Sequence, residues 1–407
     1  MSDIKFISGG VTAPEGFTAN GIHCGIRKNK SKRDLALIFS DTVCDAAAVY
    51  TQNLVKGAPI AVTRANLGDG KARAVICNSG IANTCNADGV EKAQAMCEVA
   101  SSALHIGVTD VIVASTGVIG QPLPIEPIAG GMEELVKGLS RYGSTDAAEA
   151  IMTTDTRKKE YAVEFQLGGK TCRIGAIAKG SGMIHPNMAT MLSFVTTDAA
   201  IASDLLDKAL HEVVNVTYNM ISIDGDTSTN DMVSIMASGK AGNVSIKEEN
   251  EDYYIFIDAL CTLCRTMARE IARDGEGATH LMECRVTGAK TEQIARCVAK
   301  AVICSSLVKA AIFGADANWG RVLCAMGYSG ADIDVNRADV AFVSAAGSIT
   351  VCKNGAGVAF SEEKAKKILL EEEVLIDITL YEGDGKALAY GCDLTYDYVK
   401  INGDYRT

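Results

Sequence analysis

The feature that most constrains this chain is a polar, glycine-bearing loop held between two strands near its middle. Residues 172–178 (CRIGAIA) read as one strand and residues 191–197 (MLSFVTT) as the next, both rich in β-formers. Between them runs Lys179-Gly180-Ser181-Gly182-Met183-Ile184-His185-Pro186-Asn187-Met188-Ala189-Thr190. Two readings are open. The loop is a Gly-Pro connection between strands, or Thr190, poised at a strand start, is a nucleophile.

A chain of 407 residues suggests about two or three domains, or one large domain with a smaller one attached. With 48% hydrophobic and 22% charged residues it can bury a large core. The net charge of −11, with no basic run interleaved with aromatics, argues against a nucleic-acid partner. No apolar stretch is long and charge-free enough to span a bilayer, so no membrane partner is expected. The 14 cysteines are scattered through apolar segments, and no secretory leader is read in MSDIKFISGG. They are expected to be reduced core residues of a cytoplasmic protein. Cys261-x-x-Cys264 has no second pair and falls in a helical pattern, so neither a metal site nor a resident cofactor is expected.

Strands alternate with helices along the chain, which places it in the α/β or α+β class. Residues 34–39 and 46–50 read as two strands. Residues 73–77 form a buried strand running into Asn78-Ser79-Gly80-Ile81-Ala82-Asn83, and residues 111–114 another running into Ser115-Thr116-Gly117. Small polar residues after a buried strand either make turns or place donors at a site. Glycine there leaves amide groups free, which an oxyanion hole requires. Thr153-Thr154-Asp155-Thr156 follows a helix end at residues 147–152 and either binds something or caps and turns.

Met96, Val99, Ala100, Ala103 and Leu104 recur at helical spacing, Ser203 is read as a helix cap, and residues 257–271 form the clearest amphipathic helix. Asp224-Gly225-Asp226-Thr227-Ser228-Thr229-Asn230-Asp231 fails the calcium-loop pattern and reads as a hydrogen-bonded loop beside a site. Glu276, flanked by Gly275 and Gly277, is either a solvated loop residue or a carboxylate aimed into a cleft. Further on, residues 280–286 are a strand and 294–307 one helix. Residues 340–343 pair with 348–352, residues 374–381 pair with 387–393, and the polar tail from Lys400 is expected to fray.

The stretch His185-Pro186-Asn187-Met188-Ala189-Thr190-Met191-Leu192 resembles the self-processing ornithine acetyltransferases (glutamate N-acetyltransferases) of arginine biosynthesis. Four more stretches agree in order and spacing: GGVTAPEGF near the start, Ser115-Thr116-Gly117, DGDTSTND from Asp224, and GADANWGR from Gly314. The resemblance spans essentially the whole chain. It implies an αββα layered sandwich over residues 1–284, with Thr190 opening a central strand, and a smaller α/β domain over 285–407 whose tail returns to the site. It also implies autocleavage between Ala189 and Thr190 into fragments 1–189 and 190–407, associated as an α2β2 heterotetramer.

The implied reaction moves acetyl from N-acetylornithine to glutamate through acetyl-Thr190. Thr116 and Gly117 supply the oxyanion hole, and substrate is held by Thr153, Lys179, Thr190, Glu276, Asn402 and Thr407. Lys179 suits an α-carboxylate and Glu276 a cationic ornithine amine. Acetyl-CoA stays open as a second donor. It bears on this that Ile81 stands in Asn78-Ser79-Gly80-Ile81-Ala82-Asn83-Thr84 where the family typically has asparagine. A self-processing aminopeptidase or amidase of related fold is the nearest rival, and a non-catalytic amino-acid-binding protein the rival from another class.

Overall fold

The computed structural model describes residues 3–185 and 191–404. Ala189, Thr190 and Thr407 lie outside the described residues. The larger sheet runs, edge to edge, Lys5–Ile7, Lys159–Leu167, Lys170–Lys179, Leu192–Thr197, Met232–Ala237, Leu35–Tyr50, Lys71–Ile81, Val111–Val118, with Phe17–Ile22 also pairing Leu35–Tyr50. The strand Leu192–Thr197 is therefore central: it is antiparallel to Lys170–Lys179 and parallel to Met232–Ala237.

Two strands were expected at 34–39 and 46–50, but a single 16-residue strand, Leu35–Tyr50, covers both. Its pairing with Lys71–Ile81 slips in register between Phe39 and Cys44, so the polar Ser40-Asp41-Thr42 is absorbed as an irregularity and not a turn. Residues 35–39 pair with Lys71–Ile81 while 45–50 pair with Met232–Ala237. The bend folds the sheet into two layers. Phe17, Ile38, Ile112, Ile177, Phe194 and Met236 are packed in one buried cluster, joined by the alanines of helix Ser144–Ile151. Helices Ser203–Val216 and Glu251–Arg273 cover one outer face, and Gly89–Leu104 and Glu126–Lys137 the other, giving the αββα order. The longest helix, Glu251–Arg273, starts at Asn250, whose side chain accepts the Tyr253 amide. Glu251 and Asp252 in its first turn and Arg273 in its last complement the helix dipole. No described helix is long and apolar enough to cross a membrane.

The second sheet has the order Ala356–Gly357, Gly347–Lys353, Asp339–Ser344, Glu373–Thr379, Leu281–Ala289, Gly385–Cys392, Ile221–Ser222. The expected pairing of 374–381 with 387–393 does not form. Leu281–Ala289 sits between the two strands, parallel to Glu373–Thr379 and antiparallel to Gly385–Cys392. Its alternate residues Met282, Cys284 and Val286 are fully buried, which favours the central position over the local hairpin.

Four local expectations also change. The helix expected over 294–307 breaks at Ser305, whose hydroxyl accepts the Val308 amide and starts Ser306–Phe313. Ser203 is the first helical residue; Ala202 is the cap and offers no side-chain bond. The tail forms a helix, Tyr396–Asp404, where fraying was expected. Residues 78–81 and 115–118 continue their strands and make no turn.

Candidate active site

One cavity brings together Thr116, Gly117, Thr153, Lys179, Glu276 and Asn402, six of the eight residues that the sequence singled out. The other two, Thr190 and Thr407, lie outside the described residues, but Met191 and Leu192 line the same cavity. Residues from separate segments converge here because the strand ends Lys179 and Leu192 are register partners and Thr116-Gly117 lies on the neighbouring sheet layer.

The Thr116–Gly117 segment is fixed by its strand partner. Thr116 pairs with Ser79 and Gly117 with Gly80 in parallel register. Gly117 has φ +129°, and a Cβ there would stand 2.2 Å from the Gly80 carbonyl carbon, so only glycine fits. Asn230, from the acidic loop, ties the layers together: its amide nitrogen donates to Ala82 O at 2.5 Å and Ser115 O at 3.0 Å, while its oxygen accepts the Thr84 hydroxyl at 2.6 Å. Ile81, the departure from the family pattern, stands opposite Val118, next to the Gly80–Gly117 pair.

Lys179 and Thr153 are positioned by a buried ion network with little sequence signal. Lys159, 1% exposed at its side chain, donates to Asp155 at 2.7 Å and Asp274 at 2.6 Å. Asp155 in turn accepts the amides of Thr153 at 3.0 Å and Gly180 at 2.7 Å. Burial alone would raise the Asp155 pKa, but Lys159 and Lys179 outweigh it and hold the carboxyl well below the usual carboxylate range. Asp274, at the end of the long helix, also binds the Thr156 amide and hydroxyl, so the segments that carry Thr153, Lys179 and Glu276 share one charged anchor.

Glu276 reaches the cavity over Gly182. Its amide donates to Ser181 O at 2.8 Å, and its Oε2 accepts the Asn402 side-chain amide at 2.8 Å. The tail helix is thereby brought to the site. Thr395 donates to Gly277 O at 2.7 Å, and Gly277, at φ +67°, leaves room for the backbone at Asp397 and Tyr398.

The loop from Asp224 braces the central stretch. Asp224 accepts the amides of Met183 at 2.5 Å and Ile184 at 2.9 Å, and Thr227 donates to His185 O at 2.7 Å. His185 does not line this cavity. Its Nδ1 meets Ser222 Oγ at 3.1 Å and Cys304 Sγ at 3.4 Å beside a separate cavity lined by Lys300. Burial, and then the Lys300 and Lys309 ammoniums, lower its pKa to about 4 against the pull of Asp224. The GADANWGR stretch is also remote from the cavity: Asn318 caps helix Trp319–Gly327, and Trp319 packs on the second sheet's core.

Asp155, Lys159, Asp274, Asn230 and Asp231 were not selected as site residues in the sequence. Asp155, Asn230 and Asp231 stood in polar motifs without an assigned role. Lys159 bonds to an aspartate 115 residues away, a pairing that no local pattern signals.

The sequence matches the ArgJ family over residues 18–407. The arginine biosynthesis bifunctional protein ArgJ of Caldanaerobacter subterraneus subsp. tengcongensis is 50% identical over 405 residues, covering 99% of this chain and 100% of that one. The protein of the same description from Symbiobacterium thermophilum is 52% identical over 406 residues, with 99% and 100% covered. The crystal structure of the Bacillus halodurans arginine biosynthesis bifunctional protein superposes with a TM-score of 0.51 at 51% identity, covering 53% of this chain and 100% of that chain. A family match across nearly all residues, and relatives half identical from end to end, show that this chain belongs to the ArgJ family.

Proposed function

We propose that this chain is a self-processing acetyltransferase of arginine biosynthesis that carries acetyl from N-acetylornithine to glutamate on Thr190. The observation that carries the proposal is the shared cavity: Met191 and Leu192, which directly follow Thr190, line it with Thr116, Gly117, Lys179 and Glu276. The chain first breaks between Ala189 and Thr190. The new α-amino group, with a reference pKa of about 7.7–8.0, takes the Thr190 hydroxyl proton near neutral pH. Thr190 Oγ then attacks the acetyl carbonyl of N-acetylornithine, ornithine leaves with that proton, and acetyl-Thr190 remains. The glutamate amine attacks the ester and departs as N-acetylglutamate.

Both steps pass through an oxyanion, for which Thr116 and Gly117 are the donors. Lys179 pairs with the substrate α-carboxylate and Glu276 with the ornithine side-chain amine. Thr153, Asn402 and Thr407 complete the substrate contacts. That the relatives are named bifunctional supports acetyl-CoA as a second acetyl donor, used as substrate with no resident cofactor. Just over half the chain follows Ala189, and the Bacillus halodurans chain is matched over its whole length while spanning 53% of this one, which supports the break. The fragments 1–189 and 190–407 stay paired, two pairs form a heterotetramer, and the enzyme works in the cytoplasm. The boundary expected between 284 and 285 moves ahead of Leu281–Ala289, since that whole strand belongs to the second sheet; the catalytic sandwich precedes it and the smaller domain starts with it.

The test is an intact-mass and N-terminal measurement on purified wild type and Thr190→Ala, followed by an acetyl-transfer assay. Wild type should give two fragments, the second starting at Thr190, and should make N-acetylglutamate from N-acetylornithine. Thr190→Ala should stay a single chain without activity. A wild type that remains a single chain overturns the proposal.

A further inference from the structure

We propose that the second cavity, beside helix Glu292–Cys304, binds a phosphate-bearing small molecule, its phosphate held between Arg296 and Lys300. The site stands apart from the proposed acetyl transfer, except that acetyl-CoA is one of two sources of such a phosphate.

The chain carries a net charge of −11, yet no carboxylate among the described residues lines this cavity of about 560 Å³. Arg296 and Lys300 stand four residues apart on one helix, so their side chains share a face, and like charges at that spacing repel. Their hydrogen bonds go to neutral acceptors. Arg296 donates to Gln293 Oε1 at 2.7 Å, and Lys300 donates to the carbonyls of Asn219 and Ile221 at 2.6 Å each. These bonds orient the two cations without neutralising them. An ammonium has three protons, so Lys300 keeps one for the cavity. Burial lowers its pKa to about 8, and the opposing pull comes from the Cys304 thiol and not from a carboxylate. A buried cation without a counter-ion is costly, and an anion in the cavity supplies the missing partner.

The positive field extends beyond this pair. Met220 and Arg296 also line a neighbouring cavity of about 380 Å³, whose walls add Arg265, Arg285 and Lys386. Asp377 neutralises Arg285 through two hydrogen bonds, and Glu292 is the carboxylate on that wall among the described residues. Arg265, Arg296 and Lys386 therefore face a single acid. Such a concentration of one sign on an acidic protein draws in anions.

The chemistry selects phosphate. The guanidinium fork of arginine takes two oxygens of one phosphate, and lysine adds a point charge. A cavity of this size holds more than a free ion. Tyr328 on its wall is 61% exposed and offers a ring face, and Met220 adds apolar surface. A nucleotide fits this set, with phosphates on Arg296 and Lys300 and the base on Tyr328. Its source is a free nucleoside diphosphate or the nucleotide end of acetyl-CoA. Met183 lines the acetyl-transfer cavity and His185 this one, so both cavities border the same stretch of chain.

The test is a calorimetric titration of the purified enzyme with ADP, CoA and glutamate in about 0.15 M salt, which screens loose surface attraction. Wild type, Arg296→Gln and Lys300→Gln are compared. ADP and CoA should bind wild type, and each substitution should weaken binding about tenfold or more. Where Lys300→Gln fails to fold, Arg296→Gln decides. A wild type that takes up neither ADP nor CoA overturns the proposal. So does binding that Arg296→Gln leaves unchanged, or uptake of glutamate without ADP. Acetyl-transfer kinetics separate the two sources. A KM for acetyl-CoA raised in Arg296→Gln, with that for N-acetylornithine unchanged, assigns the site to acetyl-CoA. ADP that alters transfer from N-acetylornithine in wild type but not in Arg296→Gln assigns it to a free nucleotide. The titration needs no turnover, so a wild type that binds ADP but transfers no acetyl refutes the proposed function and leaves this site standing.

Discussion

Glu276 lies across Gly182 so closely that a Cβ at residue 182 would stand 2.3 Å from the Glu276 carboxyl carbon. Gly182 has no positive φ, so the backbone tolerates a side chain and the flexible carboxylate must yield. Gly182→Ala should swing Glu276 away from Asn402 and from the substrate amine. Loss of a charge-assisted bond of about 1.5–3 kcal/mol predicts a KM for acetylornithine raised about tenfold or more, read from steady-state kinetics. Fragment formation should be unchanged.

Removing the two charges themselves separates the ends of the substrate. Lys179→Ala and Glu276→Ala should each raise the KM for acetylornithine. With glutamate varied as acceptor, Lys179→Ala should act on it too, because both amino acids carry an α-carboxylate. Unchanged kinetics in both variants would remove these residues from the binding site.

Lys159→Met should be among the most damaging substitutions outside the cavity. It leaves Asp155 and Asp274 buried without their common cation, at a cost of about 3–5 kcal/mol in a denaturant titration. The pH dependence carries a second signature. In the folded protein the Asp155 pKa sits below its ordinary 3.8, so the stability it contributes is in place above that value and is lost as pH falls through the depressed one. Without Lys159 much of the depression goes, and stability should fall less steeply on acidification than in wild type.

His185→Gln should leave acetyl transfer nearly unchanged. His185 is outside the cavity and, with its pKa lowered to about 4, it is already neutral across the physiological range. The variant should keep the wild-type pH profile between about pH 5 and 8, where an ordinary histidine would titrate. The loss should be far smaller than the 10²–10⁴-fold of a missing base. Losing its bond to Ser222 should cost about 1 kcal/mol of stability.

What the sequence disclosed, and what it withheld, follows the range of the forces involved. Strand and helix segments were legible because periodicity is local: 172–178 and 191–197 fall inside or beside the observed Lys170–Lys179 and Leu192–Thr197. Six expected site residues met in one cavity because their motifs could be matched as a set. The errors came where distant chain decides. Residues 34–39 and 46–50 read as two strands, although two partners claim one continuous strand. Residues 374–381 and 387–393 looked like a hairpin, although a strand about a hundred residues earlier takes the place between them. The Lys159 anchor was hidden in part for the same reason: Asp155 is four residues away, but Asp274, which shares the cation, is 115 away.

The order of strands in the larger sheet has a consequence for synthesis. Leu192–Thr197 and Met232–Ala237 are inserted between Lys170–Lys179 on one side and the second half of Leu35–Tyr50 on the other. While the chain emerges from the ribosome, the first 179 residues carry a gap with two bare edges that nothing made so far can fill. The sheet closes only once Ala237 is available. Asp231 and Asn230 arrive with that same closing segment. A chain interrupted before it would carry Thr116, Gly117 and Lys179 of the cavity without the Asn230 bonds to Ala82 and Ser115 that tie the layers around it.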